Sequence, residues 1–215
     1  MYRYKFLVSY NGTGFSGSQK QHNAVGVFNV IEMALEKTFK LKLRCIPAGR
    51  TDTGVHARNM VFHVDFNFKI DPGVMVKRLN RSLIKQSIIL QTIDLVDSNF
   101  HALSSAESRT YQYFFTFNDQ LPHYLLDSVA IIDGAPKFLP TTDALKRIFE
   151  GEKNYRFLSN VAESKSTIRL IHDVQFYSRR YTGLFDEQCE IYVFQITANG
   201  FLYRMVRHIV GLLLH

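Results

Sequence analysis

Residues 48–57 read AGRTDTGVHA and hold one carboxylate, Asp52, two places after Arg50. Gly49 and Gly54 flank the pair, His56 follows, and no other acid lies between Glu36 and Asp65. A nearby guanidinium favours the ionised form of a carboxylate and can orient it. An oriented anion of this kind serves as a nucleophile or as a stabiliser of developing positive charge. Glycoside hydrolysis in its usual form takes two carboxylates, so a solitary acid does not support it. A turn aspartate can also do no more than hydrogen-bond its own backbone. The turn by itself leaves both readings open.

Two further segments raise a similar choice. In FLYRMVRHIVGLLL, residues 201–214, Met205, Ile209 and Leu212 share a helical stripe that Val206, Val210 and Leu213 widen. Arg207 lies at the edge of that stripe, where a guanidinium either snorkels to solvent or points into a binding site. In RTYQYFFTF, residues 109–117, Tyr111 belongs to an aromatic strand face with Tyr113, Phe115 and Phe117. Such a face either builds core or stacks on bases. His56, His101 and His208 have no partner at metal-ligand spacing, and no chemistry is assigned to them. Cys45 and Cys189 form no CxxC pair, which excludes a zinc ribbon, and a disulfide framework is not expected.

GTGFSG, residues 12–17, matches the G-x-G-x-x-G pattern of dinucleotide binding directly after a strand. That chemistry needs the third glycine to open a helix, so that a pyrophosphate meets its N-terminus. Here SQKQHN intervenes before any helical pattern, and the preceding strand carries Arg3 and Lys5, unlike a buried parallel strand. No lysine follows Gly17, so the phosphate-loop pattern fails as well. The segment is expected to be a flexible loop over a site.

The elements that must position these residues follow from periodicity. Residues 2–10 alternate, with Tyr2, Tyr4, Phe6, Val8 and Tyr10 on one face and Arg3, Lys5, Leu7 and Ser9 on the other. Residues 25–40 are helical, with Val27, Ile31, Ala34, Leu35, Thr38 and Phe39 on one stripe. KLRCIP is a short strand. Residues 59–67 form another, with Met60, Phe62, Val64 and Phe66 opposed to the polar Asn59, His63 and Asp65. DPGVMVKRLNRSL is a helix with Pro72 in its first turn, and SIILQTIDLV is a strand. The order β-α-β-β-α-β is that of a ferredoxin-like split unit, an antiparallel sheet with helices on one face.

In the second half, RTYQYFFTF, STIRLIHDVQFYSRR and QCEIYVFQITANG read as strands. TTDALKRIFEG reads as a helix capped by Thr142 or Asp143, and residues 201–214 as a terminal helix. The Ser-rich HALSSAES marks the division into an N-terminal domain, 1–103, and a C-terminal domain, 104–215. The fold class is α/β of the α+β kind, with antiparallel sheets.

Composition narrows the function. Of 215 residues, 46% are hydrophobic and 13% aromatic, enough for packed cores. Lys and Arg number 26 against 19 Asp and Glu, and a net charge of +7 points to a polyanion, of which nucleic acid is the usual one. No apolar run reaches the length of a membrane span, and MYRYKFLVSY is not a signal peptide. A cytoplasmic protein without a membrane partner is expected.

AGRTDTGVHA resembles the signature of the tRNA pseudouridine synthase A family. Other segments fall in that family's order: VSYNGTGFSG near the start, LN at 79–80, NFHALSSAESRTYQY at 99–113 and NGFLYRMVRHIVG at 199–211. The resemblance implies two ferredoxin-like domains with a basic cleft between them. It also implies a homodimer that holds the tRNA anticodon stem-loop, and isomerisation of uridines at positions 38 to 40 with no cofactor and no metal. Asp52 matches the catalytic aspartate, and Arg50 matches the arginine beside it. Tyr111 matches the tyrosine that stacks on the target base. Arg207 matches the arginine that pairs with the aspartate and helps fill the space of the flipped base.

Three departures stand out. Ser18 occupies a position where most relatives carry an aromatic residue, Phe28 replaces a usual glutamine, and domain 104–215 is expected to lack the family's C-terminal tail. An RNA-binding or chaperone protein of the same fold, without catalysis, is the alternative.

Overall fold

The computed structural model describes residues 1–19, 23–118, 121–134, 138–159 and 166–214. Within them the chain forms two compact units, Met1–Ala106 and Glu107–His215. Part of the SQKQHN linker, residues 20–22, lies outside the described residues.

The first unit runs β1 (Tyr2–Tyr10), α1 (Val27–Phe39), β2 (Ile46–Pro47), β3 (Ala57–Phe66), α2 (Pro72–Leu83) and β4 (Ile88–Val96). The sheet order is β2-β3-β1-β4, with every neighbouring pair antiparallel. This is the arrangement that the β-α-β-β-α-β order implies. Alternation along β1 buries Tyr4, Phe6, Val8 and Tyr10 on the helix side, where they meet Phe62, Val64 and Phe66 of β3. The rings of Phe6 and Phe62 stack at 4.7 Å, across a direct register pair. From α1 come Val27, Phe28, Ile31, Ala34 and Leu35, and from α2 come Met75, Leu79 and Leu83. A 13-residue helix is marginal alone, so this buried stripe holds α1 in place.

Local chemistry sets the ends of α2. Pro72 occupies its first turn, and the Asp71 carboxylate accepts the Val74 N–H at 3.0 Å. Asn80 gives the LN pair a structural role. Its side chain accepts the Leu90 N–H and donates to the Leu90 carbonyl, each at 2.8 Å, which ties α2 to the edge strand β4.

The opposite sheet face departs from simple alternation at His63, expected to be wet and in fact buried. The segment after β4 folds back over it. Arg3 grips Asp65 with two hydrogen bonds of 2.7 Å and donates to the carbonyls of Ser98 and Phe100, each at 2.8 Å. The Ala102 N–H then reaches His63 Nδ1 at 3.2 Å. Burial, with the Arg3 charge, pushes the His63 pKa down.

The second unit runs β5 (Arg109–Thr116), β6 (Ala130–Ile131), α3 (Thr142–Phe149), β7 (Gly151–Asn154), β8 (Ile168–Thr182), β9 (Gln188–Ala198) and α4 (Met205–Leu213). Its sheet order is β6-β5-β9-β8-β7. The core β5-α3-β8-β9-α4 repeats the first unit, because β9 lies beside β5 and β8 beyond it as β3 and β2 lie beside β1. Two short strands elaborate it: β7 extends the β8 edge, and β6 pairs in parallel with β5 over two residues, on the edge that β4 takes in the first unit. The helices cover Val174, Phe194, Ile196 and Ala198.

Two helix ends differ from expectation. Thr141, rather than Thr142 or Asp143, caps α3 by accepting the Ala144 N–H at 3.2 Å; Thr142 instead bonds both backbone groups of Phe176. Helix α4 starts only at Met205, because Arg204 takes a left-handed conformation with φ near 59°. Leu212, assigned to the apolar stripe of α4, is exposed, while Met205, Ile209 and Val210 are buried. No helix among the described residues is long and apolar enough to cross a membrane.

Candidate active site

Asp52 lies in the connection between β2 and β3, at the end of the first sheet where β1 finishes. The turn closes through Val55 N–H donating to the Asp52 carbonyl at 3.1 Å, with Gly54 at φ near 78°. Glycine reaches this left-handed conformation without the steric cost that a Cβ brings. The Asp52 side chain is half-buried.

The glycine-rich segment after β1 clamps this turn. Ser18 N–H donates to the Thr51 carbonyl at 3.0 Å, and Thr51 N–H donates to Ser18 Oγ at 2.8 Å. The Thr51 hydroxyl meets the Tyr10 hydroxyl at 2.9 Å. Gly54 N–H donates to the Phe15 carbonyl at 3.3 Å, and Gly12 N–H donates to His56 Nδ1 at 2.8 Å. Gly12, Phe15 and Ser18 of the clamp, with Tyr10 of β1, thus hold positions on both sides of Asp52.

The glycines are there for contact. A Cβ on Gly17, whose φ is near 90°, would stand 2.8 Å from the Thr51 carbonyl oxygen, and one on Gly12 would run into the Val55 carbonyl. The expectation of a flexible loop is corrected: GTGFSG is packed backbone to backbone against the Asp52 turn. Hydrogen bonds between distant segments fix it, and these leave no trace in local spacing.

Local spacing gives His56 no role and marks Ser18 only as a departure from the family pattern. Ser18 is fully buried, and both its backbone and its side chain bond Thr51. A small side chain with an acceptor, next to three glycines, was the available signal. Arg50 is exposed, and among the described residues it forms no ion pair within 4 Å.

In the second unit, Tyr111 sits on β5 opposite Ile196 of β9, half-buried, its ring edge-on to Phe201 at 5.0 Å. Phe201 belongs to the connection from β9 to α4, which Asn199 fixes. Asn199 exchanges two 3.1 Å hydrogen bonds with the Leu170 backbone, and its carbonyl accepts from Arg109 at 2.8 Å. Arg207 projects from α4 and is exposed. Its charge reaches Tyr113, two residues along the strand from Tyr111. Burial pushes the Tyr113 hydroxyl above its ordinary range, and the Arg207 charge pulls it partly back. Tyr111, Tyr113 and Arg207 thus share one region of the second unit, and Arg50 and Asp52 share one turn of the first.

Comparison with known proteins adds the following. A family model described as tRNA pseudouridine synthase matches residues 146–215. The tRNA pseudouridine synthase A of Limosilactobacillus reuteri is 32% identical over 217 residues, which span 100% of this chain and 82% of that protein. That of Pseudothermotoga lettingae is 32% identical over 214 residues, covering 99% and 83%. That of Bdellovibrio bacteriovorus is 34% identical over 213 residues, covering 96% and 78%.

Proposed function

The chain belongs to the tRNA pseudouridine synthase A family, and on that premise we propose that its Asp52 turn is the catalytic centre of a uridine isomerase acting on the tRNA anticodon stem-loop. Pseudouridine synthesis on tRNA is the family's reaction. The proposed target is a uridine at positions 38 to 40, the proposed assembly a homodimer, and the proposed compartment the cytoplasm.

The reaction accounts for a solitary acid. The N1–C1′ bond of the nucleoside breaks, the uracil rotates, and a C5–C1′ bond forms; the hydrogen on C5 leaves to solvent and N1 takes up a proton. No water is consumed and no electrons are transferred, so one ionised carboxylate suffices. Asp52 can attack C1′, attack the base, or assist glycal formation. The base must first leave its stack, which costs a few kcal/mol. Contacts from Lys and Arg to the phosphate backbone offset that cost, in keeping with the net charge of +7.

Three residues serve binding in this reading. Arg50, solvent-facing on the same turn, meets the RNA backbone beside the target. Tyr111 stacks on the uracil, its ring held by Phe201. Arg207 fills the space that the extruded base leaves. The observation that carries the proposal is the clamp on Asp52. Reciprocal Ser18–Thr51 bonds and the Gly12–His56 bond hold the chain on both sides of Asp52, which supports a preorganised carboxylate.

The test is tritium release from tRNA carrying 5-³H-uridine. Release with the protein and none without it is expected. Tight tRNA binding with no release would favour the alternative, an RNA-binding protein or chaperone of this fold.

A further inference from the structure

We propose that the exposed face of α2 is a track for the RNA backbone, through Lys77, Arg78, Arg81 and Lys85. This rests on the reading of the chain as a tRNA-acting enzyme, and it adds a contact surface that the catalytic residues do not include.

Between Asp71 and Asp94 the sequence holds these four cations and no acid. All four side chains are exposed, and among the described residues none has an acidic partner within 4 Å. At about 100° per residue, positions 77, 81, 85 and 78 fall within an arc of roughly 100° on one helix face. Met75, Leu79 and Leu83 lie on the opposite face, buried against the sheet. The C-terminal half of the helix therefore presents Lys77, Arg78 and Arg81 on its solvent side, extended by Lys85 in the 3-10 turn Ile84–Gln86, while exposed Val74 occupies that face in the first turn.

Two other helices show what a merely solvated face looks like here. The exposed side of α1 mixes Glu36 with Lys37 and Lys40. On α3, Lys146 pairs with Glu150 at 3.4 Å and with Asp173 at 3.0 Å. Like charges four apart, as at Lys77–Arg81 and Arg81–Lys85, destabilise an isolated helix. An uncompensated row of this kind is an electrostatic fit for a polyanion.

Topology gives the row a direction. The end of α2 leads to β4, whose first residue, Ile88, pairs with Tyr10, and Asn11 N–H donates to the Ser87 carbonyl at 3.0 Å. Tyr10 in turn bonds Thr51 beside Asp52. The row thus approaches the same end of the sheet as the catalytic turn. RNA whose target nucleoside meets Asp52 can continue along α2 with its phosphates facing the four cations.

The experiment compares the parent protein with a Lys77→Gln, Arg78→Gln, Arg81→Gln, Lys85→Gln variant. Binding of an unmodified tRNA transcript is followed across a KCl titration. Each backbone contact adds about 0.7–0.9 to the slope of log affinity against log salt, so the variant is expected to lose about 3 from that slope. Its affinity should fall roughly tenfold or more at low salt. Its melting temperature should stay level or rise, since repulsion is relieved. A Lys37→Gln, Lys40→Gln variant on α1 should keep the parent slope. A parental slope and affinity in the four-site variant would overturn the inference, as would an equal loss in the α1 variant. Tritium release by the parent is read separately: its absence would refute the isomerase reading, while the salt slopes still decide whether α2 binds RNA.

Discussion

Ser18 and Thr51 hold each other by both backbone groups of Thr51: its carbonyl accepts from Ser18 N–H at 3.0 Å, and its N–H donates to Ser18 Oγ at 2.8 Å. Thr51 lies immediately before Asp52, so the backbone that carries the carboxylate is fixed in part by a fully buried hydroxyl 33 residues earlier in the chain.

Ser18→Ala leaves the Thr51 N–H without its acceptor. A buried donor left unsatisfied costs about 1–3 kcal/mol, and urea denaturation should show a loss of that order. Turnover in the tritium assay should fall in kcat, with tRNA affinity near the parent value. A variant with parental kcat would show that the hydroxyl does not position Asp52.

Asp52→Asn is nearly isosteric, and the Val55–Asp52, Ser18–Thr51 and Gly54–Phe15 bonds that shape the turn do not use the carboxylate. Turnover should drop by at least about 100-fold, a loss of roughly 3 kcal/mol of transition-state stabilisation. tRNA binding should stay level or tighten, since an anion is removed from a phosphate-binding region. Filter binding alongside tritium release checks both halves, and near-parental turnover would remove Asp52 from the mechanism.

Glycine replacements should sort by contact. Gly17→Ala, at φ near 90° and 2.8 Å from the Thr51 oxygen, should lower both stability and turnover, and Gly12→Ala should do the same. Gly14→Ala meets nothing within 4 Å and should be nearly neutral. Equal behaviour of Gly14 and Gly17 variants in thermal unfolding would contradict a packed clamp.

Acid should weaken the first unit through two groups on the sheet face opposite the helices. The hydrogen bonds from Arg3 hold the Asp65 carboxyl below its usual range, and burial holds His63 below its own. For a depressed pKa the unfolded chain binds the proton more readily. The His63 contribution is therefore present above about 6.5 and is lost as pH falls through the lower folded value. The Asp65 contribution persists further into acid and is lost below the ordinary carboxylate range. Arg3, Asp65 and His101 are the charged or titratable groups that act on His63. Urea midpoints should fall from pH 7.5 to 5, and again toward pH 3.5. In Asp65→Asn the second fall should shrink while the first remains.

Much of the architecture was legible from the chain. Alternation in residues 2–10 and 59–66 sets which residues of β1 and β3 face the core, because successive strand side chains point to opposite faces. The stripe of α1 and the Pro72 start of α2 follow from equally local rules, and residues 48–57 announced their turn through Gly49, Gly54 and a solitary Asp52. These features depend on neighbours within a few positions, and a sequence displays such neighbours directly.

Only the tertiary structure decided the rest. Ser18 meets Thr51 and Gly12 meets His56 across 33 and 44 residues, so the glycine pattern at 12–17 looked like a loop until its partner segment was in place. His63 sat on the polar side of its strand by alternation, yet the chain beyond β4 returned to cover it. The left-handed Arg204 delayed α4 until Met205, against an apolar pattern that began earlier. In each instance a contact between distant segments set the outcome. Its free energy depends on which backbone groups have already been brought together by the rest of the fold, and local spacing carries no record of that.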